Sequence, residues 1–143
     1  MFPYYVGVAF ALRDAGLISP HTPLGGSSAG AIVAAAVACG VDEPTVMSGL
    51  FSLANEVRRG TRLNWALRST LEELLDEDMV SRAQAHGLCI AYQRVLPWPK
   101  SCIVTEWDSK ADLIDTICAS CNWYVARERG RRAGSSHAGS IGG

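Results

Sequence analysis

The stretch that constrains this chain most is LGGSSAGAIVAAA, which covers residues 24–36. Small residues fill positions 25–31 before an alanine-rich run begins. A flexible linker would continue with polar residues, and an ordinary helix would not begin with two glycines and two serines. The pattern therefore predicts a short extended piece, a cramped bend, and a buried helix from Ala29 to Cys39 that Gly40 closes.

The bend itself, Gly26-Ser27-Ser28-Ala29-Gly30, fits the pattern GxSxG with Ser28 at its centre. Ser27 does not fit, because it would need a glycine where Ala29 stands. In a nucleophile elbow the central serine sits at the tip of a strained strand-to-helix turn, and Gly26 and Gly30 leave room for it. The backbone N–H of Ala29 would then point at a developing oxyanion.

Two other interpretations of the bend remain open. A Gly/Ser segment also forms plain turns, and a glycine-rich loop before a helix also holds anions. The chain lacks both the Gly-Lys-Ser/Thr ending of a Walker loop and the GxGxxG of a dinucleotide loop. These absences favour the nucleophile elbow over a nucleotide site.

Composition indicates one globular domain, since 48% of the 143 residues are apolar and 19% are charged. No apolar stretch approaches the roughly 20 residues that cross a bilayer, and the first five residues carry no charge typical of a signal peptide. We expect a cytoplasmic protein or one peripheral to membranes or lipid droplets. Five cysteines suit free thiols, so we interpret Cys118 and Cys121 as buried thiols and expect no metal and no cofactor.

The net charge differs between the body of the chain and its end. Residues from Arg127 onward carry +3, and those before carry −4. The body has no basic stripe mixed with aromatic residues, so we expect no nucleic-acid partner. Residues 123–143 are rich in Arg, Gly and Ser and are predicted to be disordered beyond a domain spanning residues 1–122. The acidic cluster is predicted to be a solvated helix face; it comprises Glu72, Glu73, Asp76, Glu77 and Asp78.

The remaining periodicity predicts an α/β fold with a sheet covered by helices. In the first helix, Tyr5, Val8, Ala9 and Leu12 share one face, which we expect to be buried. A second helical pattern runs from Asn64 to Ala83.

Capping residues and β-rich runs complete the prediction. Asp42 begins a helix, and Ser109 with Asp112 forms a capping box before another. The runs LCIAYQRVL and SCIVTEW, after Gly87, are predicted strands.

Three segments together resemble the patatin-like phospholipase family: YYVGVAFALRDAGLI, GGSSAGAIVAAAVACG and CIVTEWDSKADLIDTICASCN. The likeness runs from about Phe2 to about Asn122 and is strongest to the branch of acylglycerol lipases and phospholipases that act at lipid droplets and membranes. It implies a patatin-like α/β sheet and hydrolysis of lipid esters by a Ser–Asp dyad without a metal. By this resemblance Ser28 is the nucleophile and Ala29 supplies an oxyanion N–H.

The chain departs from the family at both ends of the likeness. No glycine run precedes Gly7, where the family has its oxyanion loop, and no Asp-Gly pair supplies the dyad aspartate. These departures favour a truncated domain, from a fragment or a mis-spliced translation of a longer hydrolase.

No residue of the sequence is assigned as the catalytic base. Of the seven aspartates, Asp108 alone follows a strand at a sheet edge, and it is not adopted as a substitute. His21 lies near Ser28 in sequence, but a polar loop histidine is the alternative interpretation; His86 and His137 are interpreted as loop and tail residues. The sequence predicts a lipid acyl ester hydrolase or, as the alternative, a catalytically inactive chain that retains a lipid- or partner-binding surface.

Overall fold

The computed structural model describes residues 2–95 and 97–121, and this part of the chain is a mixed α/β structure. It confirms the α/β class and both β-rich runs as strands. The predicted tail, residues 123–143, lies outside the described residues. In chain order the elements are α1 Phe2–Asp14, β1 Gly25–Ser27, α2 Ala29–Ala38, α3 Glu43–Arg58, α4 Leu63–Leu74, α5 Met79–Ala85, β2 Cys89–Arg94, β3 Lys100–Val104 and α6 Lys110–Cys121.

The three described strands form one sheet in the order β1-β2-β3. Strands β1 and β2 are parallel, with Ser27 opposite Ala91, and β3 is antiparallel to β2, with Arg94 opposite Lys100. Because parallel strands end at the same edge, the residue after β1 lies beside the second half of β2. This topology places Ser28 at the carboxyl edge of the sheet.

Helices α2 and α6 supply much of the core around the sheet. Alanine fills much of α2, and small side chains let its neighbours approach closely. Helix α6 contacts β2, α4 and α2. The largest fully buried side chains are Phe10, Leu88, Ile90, Leu113, Ile114, Ile117, Val6, Val46 and Cys39.

The predicted inward face of α1 is wrong. The structure buries Val6 and Phe10 against α2 and α3, and it leaves Tyr5, Val8 and Leu12 each about 40% exposed. Apolar residues surround most of this helix, so periodicity alone does not fix its rotation. Packing decides instead, and it selects the face that carries Val6 and Phe10.

The predicted helix from Asn64 to Ala83 is interrupted. Helix α4 ends at Leu74, and Leu75 adopts extended backbone angles that keep its side chain buried. The segment between α4 and α5 contains two aspartates, which compete with helical hydrogen bonding. One of them, Asp76, accepts two hydrogen bonds from Arg82 at 2.8 and 2.9 Å. All five residues of the acidic cluster are exposed, although three of them lie outside α4.

The predicted N-caps Asp42 and Ser109 are confirmed, but of the capping box only the Ser109 half is as predicted, since the Asp112 carboxylate accepts from the Asp108 amide at 3.4 Å, one residue before the cap. Asp42 accepts a hydrogen bond from the Thr45 amide at the start of α3, and Ser109 Oγ accepts one from the Asp112 amide at the start of α6. In the part of the chain that the structure describes, no helix combines the length and apolar character needed to cross a membrane.

Candidate functional site

The candidate site is the Ser28 bend, residues 26–30, between the end of β1 and the start of α2. Ser28 has φ 54° and ψ −126°, and it is the one non-glycine residue with positive φ among those described. A side-chain-bearing residue held in a region that favours glycine costs roughly 1–3 kcal/mol, which the surrounding structure must offset. Such strain in a strand-to-helix turn is the backbone geometry of a nucleophile elbow.

Gly26 is the residue whose missing side chain makes the bend feasible. A Cβ atom there would lie 2.6 Å from the backbone nitrogen of Ala31 and closer still to the Gly30 carbonyl group. A Cβ on Gly25 would lie 2.6 Å from the Cys89 sulfur. These approaches explain why two consecutive glycines precede the serines.

The expected steric role of Gly30 is wrong. A Cβ built on Gly30 meets nothing within 4 Å, so the space beside it is open. The close approach involves the Gly30 backbone, which any residue would supply. The second glycine of the pattern is therefore not required by packing among the described residues.

A residue that the sequence did not single out anchors the bend. The Ser28 amide donates a hydrogen bond to Ser120 Oγ at 2.7 Å, and the Ser120 hydroxyl donates to the Ala91 carbonyl at 2.6 Å. Ser120 thus links the bend after β1 to β2 and α6. Its signal in the sequence is its position, because it continues the buried face of Leu113 and Ile117 at helical spacing.

The Ser28 side chain is exposed and does not cap α2. Its hydroxyl is close enough to the Cys121 thiol to lower the pKa of that thiol. Burial, with a smaller contribution from Cys118, raises the pKa of Cys121 to about 11, and the Ser28 hydroxyl opposes this rise. At neutral pH this thiol is protonated, so it is not a base that takes a proton from the serine.

The amides at the start of α2 lie directly after Ser28. The Ser28 carbonyl accepts from the Ala31 amide at 2.9 Å, whereas the Ala29 amide donates to no acceptor among the described residues. Unsatisfied amides and the helix dipole both favour negative charge at this end. The arrangement is suited to stabilising an oxyanion next to the Ser28 hydroxyl.

The histidines considered from the sequence are not brought to Ser28. His21 lies in an exposed turn, and its amide donates to Ser19 Oγ at 3.3 Å. His86 precedes β2, which is the opposite end of the parallel strand pair, and its buried Nδ1 has no partner within the described ranges. His137 lies outside the described residues.

Four of the aspartates bind partners away from the bend. Asp14 pairs with Arg13 at 3.0 Å, Asp115 pairs with Arg68, and Asp42 and Asp76 make the contacts given above. Asp108 follows β3, which runs antiparallel to β2 and so ends far from the carboxyl edge. Across residues 2–95 and 97–121, no carboxylate or imidazole makes a hydrogen bond with the Ser28 hydroxyl.

The cysteines are free thiols, and the described residues contain no group of three or more His, Cys, Asp or Glu side chains that would hold a metal ion. Cys118 is buried, and Cys121 is half-buried beside the bend. The chemistry available at the site is therefore that of one exposed hydroxyl, the amides of a helix start and a protonated thiol. Comparisons of the chain with protein-family models, with curated proteins and with solved structures find no match.

Proposed function

We propose that this chain is a lipid acyl ester hydrolase in which Ser28 is the nucleophile. The observation that carries the proposal is the strained backbone of Ser28, with φ 54° directly before a ten-residue helix. The exposed hydroxyl and the Ala29 amide at the helix start support it. The resemblance of three segments to patatin-like phospholipases supports a lipid ester as substrate, with a patatin-like sheet as the finer fold.

The proposed reaction has two steps. Ser28 Oγ attacks the ester carbonyl carbon, the bond to the alcohol oxygen breaks, and the alcohol leaves with the serine proton. Water then attacks the acyl-enzyme, which releases the fatty acid and restores the hydroxyl. In both steps the Ala29 amide stabilises the tetrahedral oxyanion, a contribution typically worth about 2.7–4 kcal/mol per donor.

The first step of the proposed reaction also requires a base. A serine hydroxyl is a weak nucleophile until a base accepts its proton. Since no described carboxylate or imidazole hydrogen-bonds Ser28, the proposal assigns the base to none of them.

A fluorophosphonate probe tests the nucleophile directly. Folded wild-type chain is expected to be labelled on the peptide that contains Ser28, and Ser28→Ala is expected to remove the label. Ser27→Ala is the matched control, because Ser27 is a neighbouring exposed serine that ends β1, and this variant should remain labelled. Absence of labelling in wild-type chain with native circular dichroism would refute the proposal, as would equal labelling of Ser28→Ala.

A second candidate function is binding without hydrolysis, at a lipid-droplet or membrane surface or to a partner chain. The specific observation in its favour is the protonated Cys121 thiol beside the Ser28 hydroxyl, where a hydrolase needs a base. Vesicle flotation without release of fatty acid would support it. Ester hydrolysis that Ser28→Ala abolishes would exclude it.

A further inference from the structure

The connection between β2 and β3 lies at the same end of the sheet as Ser28. Ser27 is opposite Ala91, and β2 continues three residues further to Arg94. At the rise of a β-strand this carries the chain roughly 10 Å past the level of Ser27. The hairpin therefore projects beyond the candidate site at the carboxyl edge of the sheet.

The projecting residues are apolar and exposed. Trp98 is 78% exposed and Val95 is 43% exposed, and Pro97 and Pro99 are also exposed. Tryptophan has an apolar body and a polar N–H, which suits the boundary between water and lipid. A projecting indole that is largely exposed is a feature that water alone does not favour.

Two cations flank this apolar tip without an anion to balance them. Arg94 and Lys100 are directly opposite each other in the β2–β3 pair, and like charges in that position are destabilising. Neither makes an ion pair with any described carboxylate, and Arg94 Nε is buried with no partner in that part of the chain. The sequence from Leu88 to Thr105 contains no Asp or Glu. An anion from outside the chain would relieve this repulsion.

We infer that the Trp98 tip, formed by Arg94, Val95, Trp98 and Lys100, docks the protein on an anionic lipid surface. The indole and Val95 enter the interface, and the two cations contact headgroup phosphates. An apolar leading edge with only two cations fits a lipid surface better than a nucleic acid, which is bound through many phosphate contacts. The inference rests on the proposed function, for it brings the Ser28 bend to a surface that contains lipid esters.

Vesicle cosedimentation of the full chain tests the docking. Vesicles of phosphatidylcholine alone and of phosphatidylcholine mixed with phosphatidylserine separate the apolar contribution from the charged one. Trp98→Ala is expected to weaken binding to both, and the double variant Arg94→Gln, Lys100→Gln is expected to weaken binding about tenfold or more to the mixed vesicles alone.

Matched variants control for exposure and charge. Trp65→Ala removes an indole that is 69% exposed on α4, and Arg58→Gln with Arg62→Gln removes two exposed cations near the α3–α4 connection. Both are expected to bind vesicles like wild type. The arginines beyond residue 126 are present in every variant, so differences report on the substituted residues.

The outcomes separate this inference from the proposed function. Ser28→Ala is expected to bind vesicles like wild type. If vesicle binding depends on Trp98 but the fluorophosphonate does not label the chain, the docking is upheld and the hydrolase proposal is refuted. Labelled Ser28 together with vesicle binding that Trp98→Ala leaves unchanged would overturn the docking alone. Equal losses in Trp98→Ala and Trp65→Ala would also overturn it.

Discussion

At Ser28 a residue with a side chain holds backbone angles that glycine adopts without cost. The strain of roughly 1–3 kcal/mol is offset locally by two hydrogen bonds, one from its amide to Ser120 and one to its carbonyl from Ala31. Each such bond contributes about 1 kcal/mol net. The conformation is therefore maintained by named partners on α2 and α6.

The two glycines of the GxSxG pattern are predicted to differ in their tolerance of alanine. Gly26→Ala places a methyl group against the backbone of Gly30 and Ala31, so it should lower the free energy of unfolding by about 1–3 kcal/mol or more. Gly30→Ala meets open space inside a helix, where alanine is favoured by about 0.5–1 kcal/mol, so it should leave stability unchanged or raise it. Urea unfolding followed by circular dichroism measures both. Equal destabilisation by the two substitutions would contradict the geometry of the bend.

Ser120 is predicted to position Ser28 through its hydroxyl. Ser120→Ala removes the acceptor of the Ser28 amide and should lower the free energy of unfolding by about 1 kcal/mol. It should also slow fluorophosphonate labelling of Ser28 by more than this loss of stability explains. Ser120→Thr retains the hydroxyl and should restore most of the labelling rate. Labelling is measured under conditions in which every variant is fully folded by circular dichroism. A Thr variant as slow as the Ala variant would show that the hydroxyl is not what positions the bend.

At the scale of elements, prediction from the sequence succeeds where contacts between nearby residues determine the structure, and it fails where tertiary packing determines it. Asp42 and Ser109 mark helix starts because their side chains bond amides three residues away, a relation that sequence spacing contains. The strands were predicted from the two β-rich runs that follow Gly87.

The failures share one physical cause. Tyr5, Val8 and Leu12 lie outward because α1 is apolar on several faces and only tertiary contacts choose among them. Ser120 meets Ser28 across 92 positions, which no local pattern encodes. The bend was predictable from its small residues, and helical spacing marks the face on which Ser120 lies, but its contact with Ser28 was not predictable.

The cap of α3 is predicted to respond to acid in a defined direction. Hydrogen bonds from the Thr45 amide and hydroxyl, at 2.9 and 2.8 Å, hold the pKa of Asp42 below its ordinary value of 3.8. Because the folded-state pKa is depressed, the carboxylate stabilises the fold above pH 3.8, and this contribution is lost as the pH falls through the lower folded value.

The stability difference between wild type and Asp42→Ala should therefore be constant from neutral pH down to about pH 4 and shrink below it. Urea unfolding over this range of pH measures the difference. Asp42→Asn keeps an acceptor oxygen without the charge, so it should be more stable than Asp42→Ala at neutral pH. A difference that stays constant into acid would show that the carboxylate charge does not contribute.

At the scale of the whole molecule, α6 connects the Ser28 bend to the rest of the core. Its first residue, Lys110, donates to the Glu72 carbonyl at 3.0 Å, Asp115 pairs with Arg68 on α4, and Ser120 reaches Ser28 near its last turn. Between these contacts Ile117 is fully buried. The bend therefore depends on a helix whose position is set by packing along its whole length.

Cys39 reports on the stability of that core from the far end of α2. Its thiol is fully buried, and burial raises its pKa to about 12, so the reactive thiolate is negligible in the folded chain. Ile117→Ala should lower the free energy of unfolding by about 2–5 kcal/mol. If Cys39 reacts only after global unfolding, its alkylation by iodoacetamide should then accelerate roughly 30-fold or more, since each 1.4 kcal/mol is a factor of ten.

Ile103→Ala is the matched control, because Ile103 is 61% exposed on β3 and its truncation should change Cys39 alkylation little. Peptide mapping by mass spectrometry measures Cys39 separately from the other four cysteines. A destabilised Ile117→Ala chain with an unchanged Cys39 rate would mean that α2 opens locally, and that α2 and α6 do not unfold as one unit.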